Sequence, residues 1–153
     1  MMTFEDILTP KQFQLELTST TAAAAVHEVA ELLKSNAKVV NWPEFVESLK
    51  AGKSCFSNDE GYGICIPHAR THHVSSMVMA GGRSSKGIFF EDAGIRVSYI
   101  FVIGVPVAMA ADYLRIIGAL ARIFRSPVIE SKLREAGTKQ EFLDLLVASE
   151  MPV

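Results

Sequence analysis

The pattern of hydrophobic and polar positions predicts one short strand near the start of the chain, followed by two helices. Phe13, Leu15 and Leu17 alternate with polar residues, which is typical of a half-buried strand. Apolar residues then recur three and four apart over residues 22–35, where threonines precede a predicted helix. A second helix is predicted over residues 41–52, with an asparagine cap and a proline in its first turn.

The centre of the chain is rich in apolar runs that favour strands. Residues 74–80 predict a strand that Gly81 and Gly82 break. Residues 88–90 and 96–105 predict two further strands joined by a four-residue turn. The second of these is apolar almost throughout, as expected of a strand covered on both faces of a sheet.

Helical spacing returns at the end of the chain. One helix is predicted after Pro106, another from Ser126, and a last one from Thr138. Helices, then strands, then helices are typical of a layered α/β domain around one mixed sheet. We therefore expect one domain over residues 1–153.

Composition and charge narrow the possible functions. The 153 residues are 49% hydrophobic and 21% charged, which is a globular composition. A formal net charge of −2 gives no overall attraction to nucleic acid or anionic membrane, so we expect no nucleic-acid partner. The most apolar stretch, residues 97–111, is too short to span a bilayer, and the first residues do not form a signal peptide. A cytoplasmic protein is expected.

The two cysteines are expected to be reduced. Cys55 and Cys65 are ten positions apart, and no further cysteines accompany them. A disulfide framework and a four-cysteine zinc site are therefore excluded within one chain, and two buried thiols in a reducing compartment are expected.

The segment with the most chemical information follows residue 53. Hydrophobic periodicity is lost over residues 53–71, which predicts a loop containing a short apolar strand at Ile64 and Ile66. Pro67 is expected to stop strand pairing and to present His68 at the end of this strand. A neutral imidazole held in this way can attack phosphorus and form a phosphohistidine. A polar surface histidine without a catalytic role remains the alternative at this point.

Residues 61–68, with the sequence GYGICIPH, resemble the active-site signature of the fructose/mannitol-type enzyme IIA domains. These are components of the bacterial phosphoenolpyruvate-dependent sugar phosphotransferase system, and the resemblance includes the nitrogen-regulatory branch of the family. Residues 7–10, 97–106 and 129–146 are also similar to the family. The resemblance implies an α/β sandwich, with a mixed sheet between helical layers.

The same resemblance implies a function. His68 would accept a phosphoryl group from a histidine-containing phosphocarrier protein and pass it to a sugar permease component, or its phosphorylation would act as a signal to a regulatory partner. The chain would contact the membrane only through a permease. It would be a phosphotransferase component with a phosphohistidine intermediate and without a cofactor. No metal site is expected, because His68 and His72 lack an accompanying zinc-binding motif.

Several residues depart from the family pattern. Tyr113 occupies the position of a second histidine, counted from the proline that follows the apolar strand. Lys53 is the nearest match to an arginine before the loop, and Arg70 is a further possible contact to the phosphoryl group. Asp59 and Glu60 are expected to repel a dianion. These departures support a second hypothesis, in which a catalytically silent module binds a partner protein or a small ligand through the same pocket.

Overall fold

The computed structural model describes residues 2–151 and contains a five-stranded sheet with the order β1-β4-β5-β3-β2. The strands are β1 Phe13–Gln14, β2 Lys53–Ser57, β3 Gly63–Arg70, β4 Val78–Phe90 and β5 Ile95–Val105. The helices are α1 Phe4–Ile7, α2 Ala22–Glu31, α3 Trp42–Ser48, α4 Ala110–Arg125, α5 Pro127–Glu135 and α6 Lys139–Ser149. Short 3₁₀ turns lie at Pro10–Gln12, Leu49–Ala51 and Val107–Met109.

Parallel and antiparallel pairs alternate across the sheet. β1 is parallel to β4, β4 is antiparallel to β5, β5 is parallel to β3, and β3 is antiparallel to β2. The order places β2 at one edge. The predicted mixed sheet is confirmed.

Helices cover both faces of this sheet. Successive residues of β5 point to opposite faces, so Tyr99, Phe101 and Ile103 pack against α4, α5 and α6, while Ile100 and Val102 pack against α2 and α3. This explains the continuous apolar run in β5 and confirms the sandwich between helical layers. Within residues 2–151, no helix is long and apolar enough to cross a membrane.

The helix starts agree with the predicted caps. The side chains of Asn41, Ser126 and Thr138 each accept a backbone N–H in the first turn of α3, α5 and α6, respectively. α2 ends at Glu31, a few residues before the predicted end, and residues 32–35 form turns.

The prediction of a loop over residues 53–71 is wrong, except that the short strand predicted at Ile64 and Ile66 lies within β3. β2 and β3 form an antiparallel hairpin there, with Lys53 opposite Pro67 and Ser57 opposite Gly63. β2 is an edge strand with partly exposed side chains, and such a strand lacks the hydrophobic alternation by which strands are recognised.

The prediction that Gly81 and Gly82 break a strand is also wrong, since β4 runs through both. A Cβ atom at Gly81 would lie 2.6 Å from the ring of Phe101, and one at Gly82 would lie 2.5 Å from the side chain of Leu17. The glycines therefore permit close packing inside a strand. β1, in turn, is shorter than predicted, although the N–H of Leu17 still donates to the carbonyl of Arg83 at 2.7 Å.

The expected pair of reduced thiols is corrected by the hairpin register. Cys55 of β2 lies directly opposite Cys65 of β3, and the two form a disulfide. Sequence spacing alone does not show this pairing, because it depends on how the two strands align.

Candidate functional site

His68 lies on β3, two residues before the strand ends at Arg70. Ile64 and Ile66 occupy the same face of β3 and are buried in the core beneath α4. His68 continues this face where the core opens to solvent, and its side chain is partly exposed. The expected partial exposure of His68 is confirmed.

Pro67 does not stop strand pairing as expected, because β3 continues through it. On one side Pro67 lies opposite Lys53 of β2. The N–H of the next residue, His68, bonds towards β2, so the nitrogen of Pro67 faces away from β2 and no hydrogen bond to β2 is lost. On the other side, the pairing of β3 with β5 passes from Cys65 directly to His68. The proline therefore interrupts one ladder locally and leaves the backbone of His68 held from both sides.

The imidazole of His68 is held in one tautomer. Its Nδ1 lies 2.9 Å from the carbonyl oxygen of Ile66. A carbonyl oxygen only accepts hydrogen bonds, so Nδ1 carries the proton and donates it. The lone pair of the neutral ring is therefore on Nε2, which makes Nε2 the nucleophilic atom.

Gly52 forms the wall beside this nucleophile. Its carbonyl oxygen accepts the backbone N–H of His68 at 3.1 Å. A Cβ atom at Gly52 would lie 3.3 Å from Nε2 of His68, so the glycine leaves open the space next to the ring nitrogen. Sequence reasoning treated Gly52 as a helix terminator and missed this role, because its contact with His68 crosses between two strands.

Tyr113, on α4, lies on the other side of the histidine ring. The two ring centroids are 5.3 Å apart, and the ring planes are inclined by 46°. Burial raises the pKa of the Tyr113 hydroxyl. The hydroxyl therefore stays protonated at physiological pH and can donate a hydrogen bond. Counting from Pro106 predicted this proximity, and the structure confirms it.

Arg70 lies on the same face of β3 as His68, two residues further along. Its side chain is exposed, and Nη2 donates to the carbonyl oxygen of Val107 at 3.2 Å. The guanidinium is thus attached to the segment that leads into α4, on the His68 side of the sheet.

Lys53 is directed to the other side of the sheet. It is opposite Pro67, and side chains alternate between faces along a strand, so Lys53 does not share the face of His68. Its Nζ atom lies 2.7 Å from the carboxylate of Asp92. There Lys53 lines a groove between the start of α2 and the turn that joins β4 to β5. The structure therefore does not bring Lys53 to His68.

The two carboxylates expected to repel a phosphoryl group are also distant from His68. Asp59 and Glu60 lie in the turn of the hairpin, whereas His68 is near its open end. Gly63 and His68 are five residues apart along β3, a separation of about 17 Å at the rise of an extended strand. At this distance solvent and salt screen the charges, so the expected repulsion is corrected to a minor effect.

A buried glutamate that the sequence analysis did not identify fastens this turn to α5. Glu130 is fully buried, and its carboxylate accepts hydrogen bonds from the Tyr99 hydroxyl at 2.7 Å, the Asn58 amide at 3.2 Å and Nε of Arg134 at 3.1 Å. Burial and the neighbouring Glu130 carboxylate raise the pKa of Tyr99. These bonds compensate for burying the charge and fix the far end of the hairpin.

Two exposed apolar residues adjoin residues of the site. Val107, whose carbonyl accepts the hydrogen bond from Arg70, is 58% exposed. Leu114, which follows Tyr113 in the chain, is 65% exposed. A nucleophilic nitrogen, a neutral hydroxyl donor and an arginine thus occur together with exposed hydrophobic residues next to the arginine and the tyrosine. This arrangement suits transfer of an anionic group between protein surfaces.

Comparison with known proteins shows the family and the fold of this chain. Residues 6–149 match the family described as "Phosphoenolpyruvate-dependent sugar phosphotransferase system, EIIA 2". The chain is 31% identical over 141 residues to a PTS system fructose-specific EIIA component of Haloferax volcanii, with 91% of this chain and 92% of that protein covered.

Solved structures show the same fold. The crystal structure of the nitrogen regulatory protein IIA-Ntr from Neisseria meningitidis matches with a TM-score of 0.78 and 25% identity, over 92% of this chain and 97% of that one. The mannitol enzyme IIA of Escherichia coli, solved in complex with phosphorylated enzyme IIB, matches with a TM-score of 0.69 and 15% identity, over 93% of this chain and 99% of that one. Together with the match over residues 6–149, these findings establish that the chain belongs to the EIIA 2 family of the phosphoenolpyruvate-dependent sugar phosphotransferase system.

Proposed function

We propose that this chain is a phosphoryl carrier in which Nε2 of His68 accepts a phosphoryl group from a histidine-containing phosphocarrier protein. The group then passes to a sugar permease component, or the phosphorylated state itself acts on a regulatory partner. Both roles occur among the names of similar proteins, which include a fructose-specific EIIA component and a nitrogen regulatory protein. The cytoplasm is the proposed location, and contact with a membrane would occur only through a permease.

The observation that carries the proposal is the hydrogen bond between Nδ1 of His68 and the carbonyl of Ile66. It leaves the lone pair on Nε2, on the side where Gly52 provides space. In the transfer, Nε2 attacks phosphorus and a new N–P bond forms. The N–P bond of the donor histidine breaks, and its electron pair returns to the donor imidazole. The proton on Nδ1 remains, and the Ile66 carbonyl stabilises the positive charge that develops on the ring.

Tyr113 and Arg70 are the proposed contacts to the transferred group. The Tyr113 hydroxyl is a neutral donor beside the ring. Arg70 brings a positive charge if its side chain turns from Val107 towards His68. Lys53 would have to leave Asp92 and cross to the other face of the sheet in order to contribute.

The exposed side chains of Val107 and Leu114 support a protein partner at this site. A phosphoryl group moves between two histidines only when both rings approach closely, which requires a complementary surface around His68. The mannitol enzyme IIA was solved in complex with phosphorylated enzyme IIB, so a protein of this fold can dock such a partner.

One observation favours a second candidate, a silent module that binds a partner protein or a small ligand. The two cations named from the sequence are both bound elsewhere: Lys53 to Asp92, and Arg70 to the carbonyl of Val107. An incoming dianion would thus meet a neutral tyrosine before it meets a positive charge. A partner could occupy the same surface without transfer of a phosphoryl group.

Incubation with the phosphoenolpyruvate-dependent donor proteins distinguishes these candidates. The carrier should gain one phosphoryl group by intact mass, with the acid lability of a phosphohistidine. His68→Ala should abolish this gain, while His72→Ala and His73→Ala should retain it nearly unchanged. Wild-type protein that remains unmodified, together with an unmodified Tyr113→His variant, would favour the silent module.

A further inference from the structure

The disulfide between Cys55 and Cys65 joins two strands at a position suited to a cross-strand bond. The Cα atoms are 4.2 Å apart. The N–H of His68 donates to the carbonyl of Gly52, so these two opposite residues are a hydrogen-bonded pair of the antiparallel ladder. Hydrogen-bonded pairs recur at every second residue from there. Cys55 and Cys65 consequently form a non-hydrogen-bonded pair, the kind in which facing side chains are closest.

β2 depends on this bond more than an interior strand would. It is the last strand of the sheet, and its residues are exposed or only half-buried. Besides its pairing with β3, β2 therefore has few buried contacts that hold it in the sheet. The residue directly before β2 is Gly52, which forms the wall beside Nε2 of His68. A bond that holds β2 in place therefore also holds Gly52 in place beside His68.

The two cysteines differ in exposure. Cys65 is fully buried among the residues beneath α2 and α3, while Cys55 is half-buried on the edge strand. Of the two cysteines, Cys55 is therefore the one that an external thiolate would attack. Disulfides in reducing compartments are usually transient, which fits a bond with one accessible end.

We propose that Cys55 and Cys65 are a reversible thiol–disulfide site, and that the oxidised form clamps β2 against β3. The co-reactant is a dithiol for reduction and a disulfide for oxidation. In reduction, a thiolate of the dithiol attacks Sγ of Cys55, the bond between the two cysteines breaks, and Cys65 leaves as a thiolate that takes up a proton. The second thiol of the reductant then attacks the mixed disulfide and releases Cys55, so the dithiol becomes a disulfide and two electrons pass to the protein.

The state of the disulfide affects His68 through the backbone hydrogen bond between β3 and Gly52. When the clamp is closed, the N–H of His68 remains bonded to the carbonyl of Gly52. When it is open, β2 separates from β3 more often, and this N–H is exposed to solvent more often. Control of phosphoryl uptake by the redox state follows from this motion and rests on the proposed function, whereas the clamp itself does not.

The clamp is tested by treating the folded protein with a small dithiol or with oxidised glutathione. The treated protein is then unfolded and alkylated, and intact mass should show two labelled thiols after the dithiol treatment and none after oxidation, with reversible conversion. The amide of His68 should exchange its hydrogen at least about tenfold faster in the reduced form. The amides at the centre of β4 and β5 should not change. The hydrogen exchange of His68 in Cys55→Ser should match that of the reduced form under both treatments.

Three results would overturn the proposal. Two labelled thiols after oxidation would show that the bond does not form in the folded protein. A bond that is reduced only after unfolding would be a permanent structural link. Equal exchange at His68 in both forms would show that the bond does not clamp the site.

Measurement of phosphoryl uptake in both forms separates this proposal from the carrier function. A slower or faster uptake after reduction would connect the two. If exchange at His68 differs but neither form takes up a phosphoryl group, the clamp stands and the carrier function fails.

Discussion

The ring centroids of Tyr113 and His68 are 5.3 Å apart, with the tyrosine on α4 and the histidine on β3. Because burial raises the pKa of the tyrosine, its hydroxyl stays neutral and can donate a hydrogen bond, but it brings no positive charge. A phosphoryl group on Nε2 of His68 would therefore gain one hydrogen bond from this neighbour and no charge neutralisation. The contribution of Tyr113 can be measured by removing the hydroxyl or by replacing the ring.

We expect Tyr113→Phe to lower the phosphorylated fraction at a fixed donor concentration. Loss of one hydrogen bond of about 1 kcal/mol corresponds to roughly a fivefold change. Tyr113→His should raise the fraction, since an imidazole can donate and partly carry a positive charge. Tyr62→Phe, in the distant hairpin turn, is the matched control, and the fractions are read by intact mass. An unchanged Tyr113→Phe variant would show that the hydroxyl does not contact the group.

We expect Gly52→Ala to slow phosphoryl uptake by roughly ten- to a hundredfold, because the added methyl group crowds Nε2 of His68 and displaces its ring. Gly52 has φ −162° and ψ 144°, which alanine adopts without strain, so the variant should fold. Gly118→Ala is the control: it lies on α4 with open space around its Cβ position and should leave the rate unchanged. Stopped reactions followed by mass spectrometry give both rates, and equal rates would exclude Gly52 from the site.

Neutralising the hairpin turn should leave uptake unaffected. Asp59→Asn with Glu60→Gln removes two charges at the far end of β3, where screening makes their effect on His68 small. Glu60 also lies 3.9 Å from Arg134, an exposed pair whose loss should change the free energy of unfolding by about 0.5 kcal/mol or less. A rise of uptake in the double variant, measured beside wild type at low and high salt, would contradict this placement.

Acid should weaken the attachment of α2 through Glu28. Burial acts to raise the pKa of this carboxyl, but hydrogen bonds from the side chains and N–H groups of Ser19 and Thr18 outweigh it, and the pKa lies below its ordinary value of 4.5. A group with a lowered pKa in the folded state stabilises the protein above its unfolded pKa. This contribution is lost as the pH falls through the lower, folded-state value.

We therefore expect Glu28→Gln to lower the free energy of unfolding at neutral pH by about 1–2 kcal/mol. The difference from wild type should shrink as the pH falls below 4.5. Glu47→Gln, in an exposed pair with Lys50, should have little effect at any pH. Urea unfolding followed by circular dichroism measures these values, and a difference that does not vary with pH would refute the explanation.

Local patterns were sufficient for much of the fold and for part of the site. Capping residues placed the starts of α3, α5 and α6, and the apolar run of β5 indicated a strand covered on both faces. The Pro67-His68 pair marked the position of the proposed nucleophile, and a count from Pro106 placed Tyr113 beside it. These features depend on residues close together in the chain, or on one rigid strand followed by one helix.

The rest depends on how distant strands align. Side chains alternate between the two faces of a sheet, so a shift of one residue moves a side chain to the opposite face. The sequence analysis named Lys53 as a possible contact to the phosphoryl group, whereas the hairpin register places Gly52 beside His68 and turns Lys53 towards Asp92. The same register joins Cys55 to Cys65 and removes Asp59 and Glu60 from the site. The sequence by itself determined which residues can form helices and strands and which histidine is the candidate nucleophile. The tertiary structure decided the neighbours of this histidine, because strand register is set by contacts between segments that are far apart in the chain.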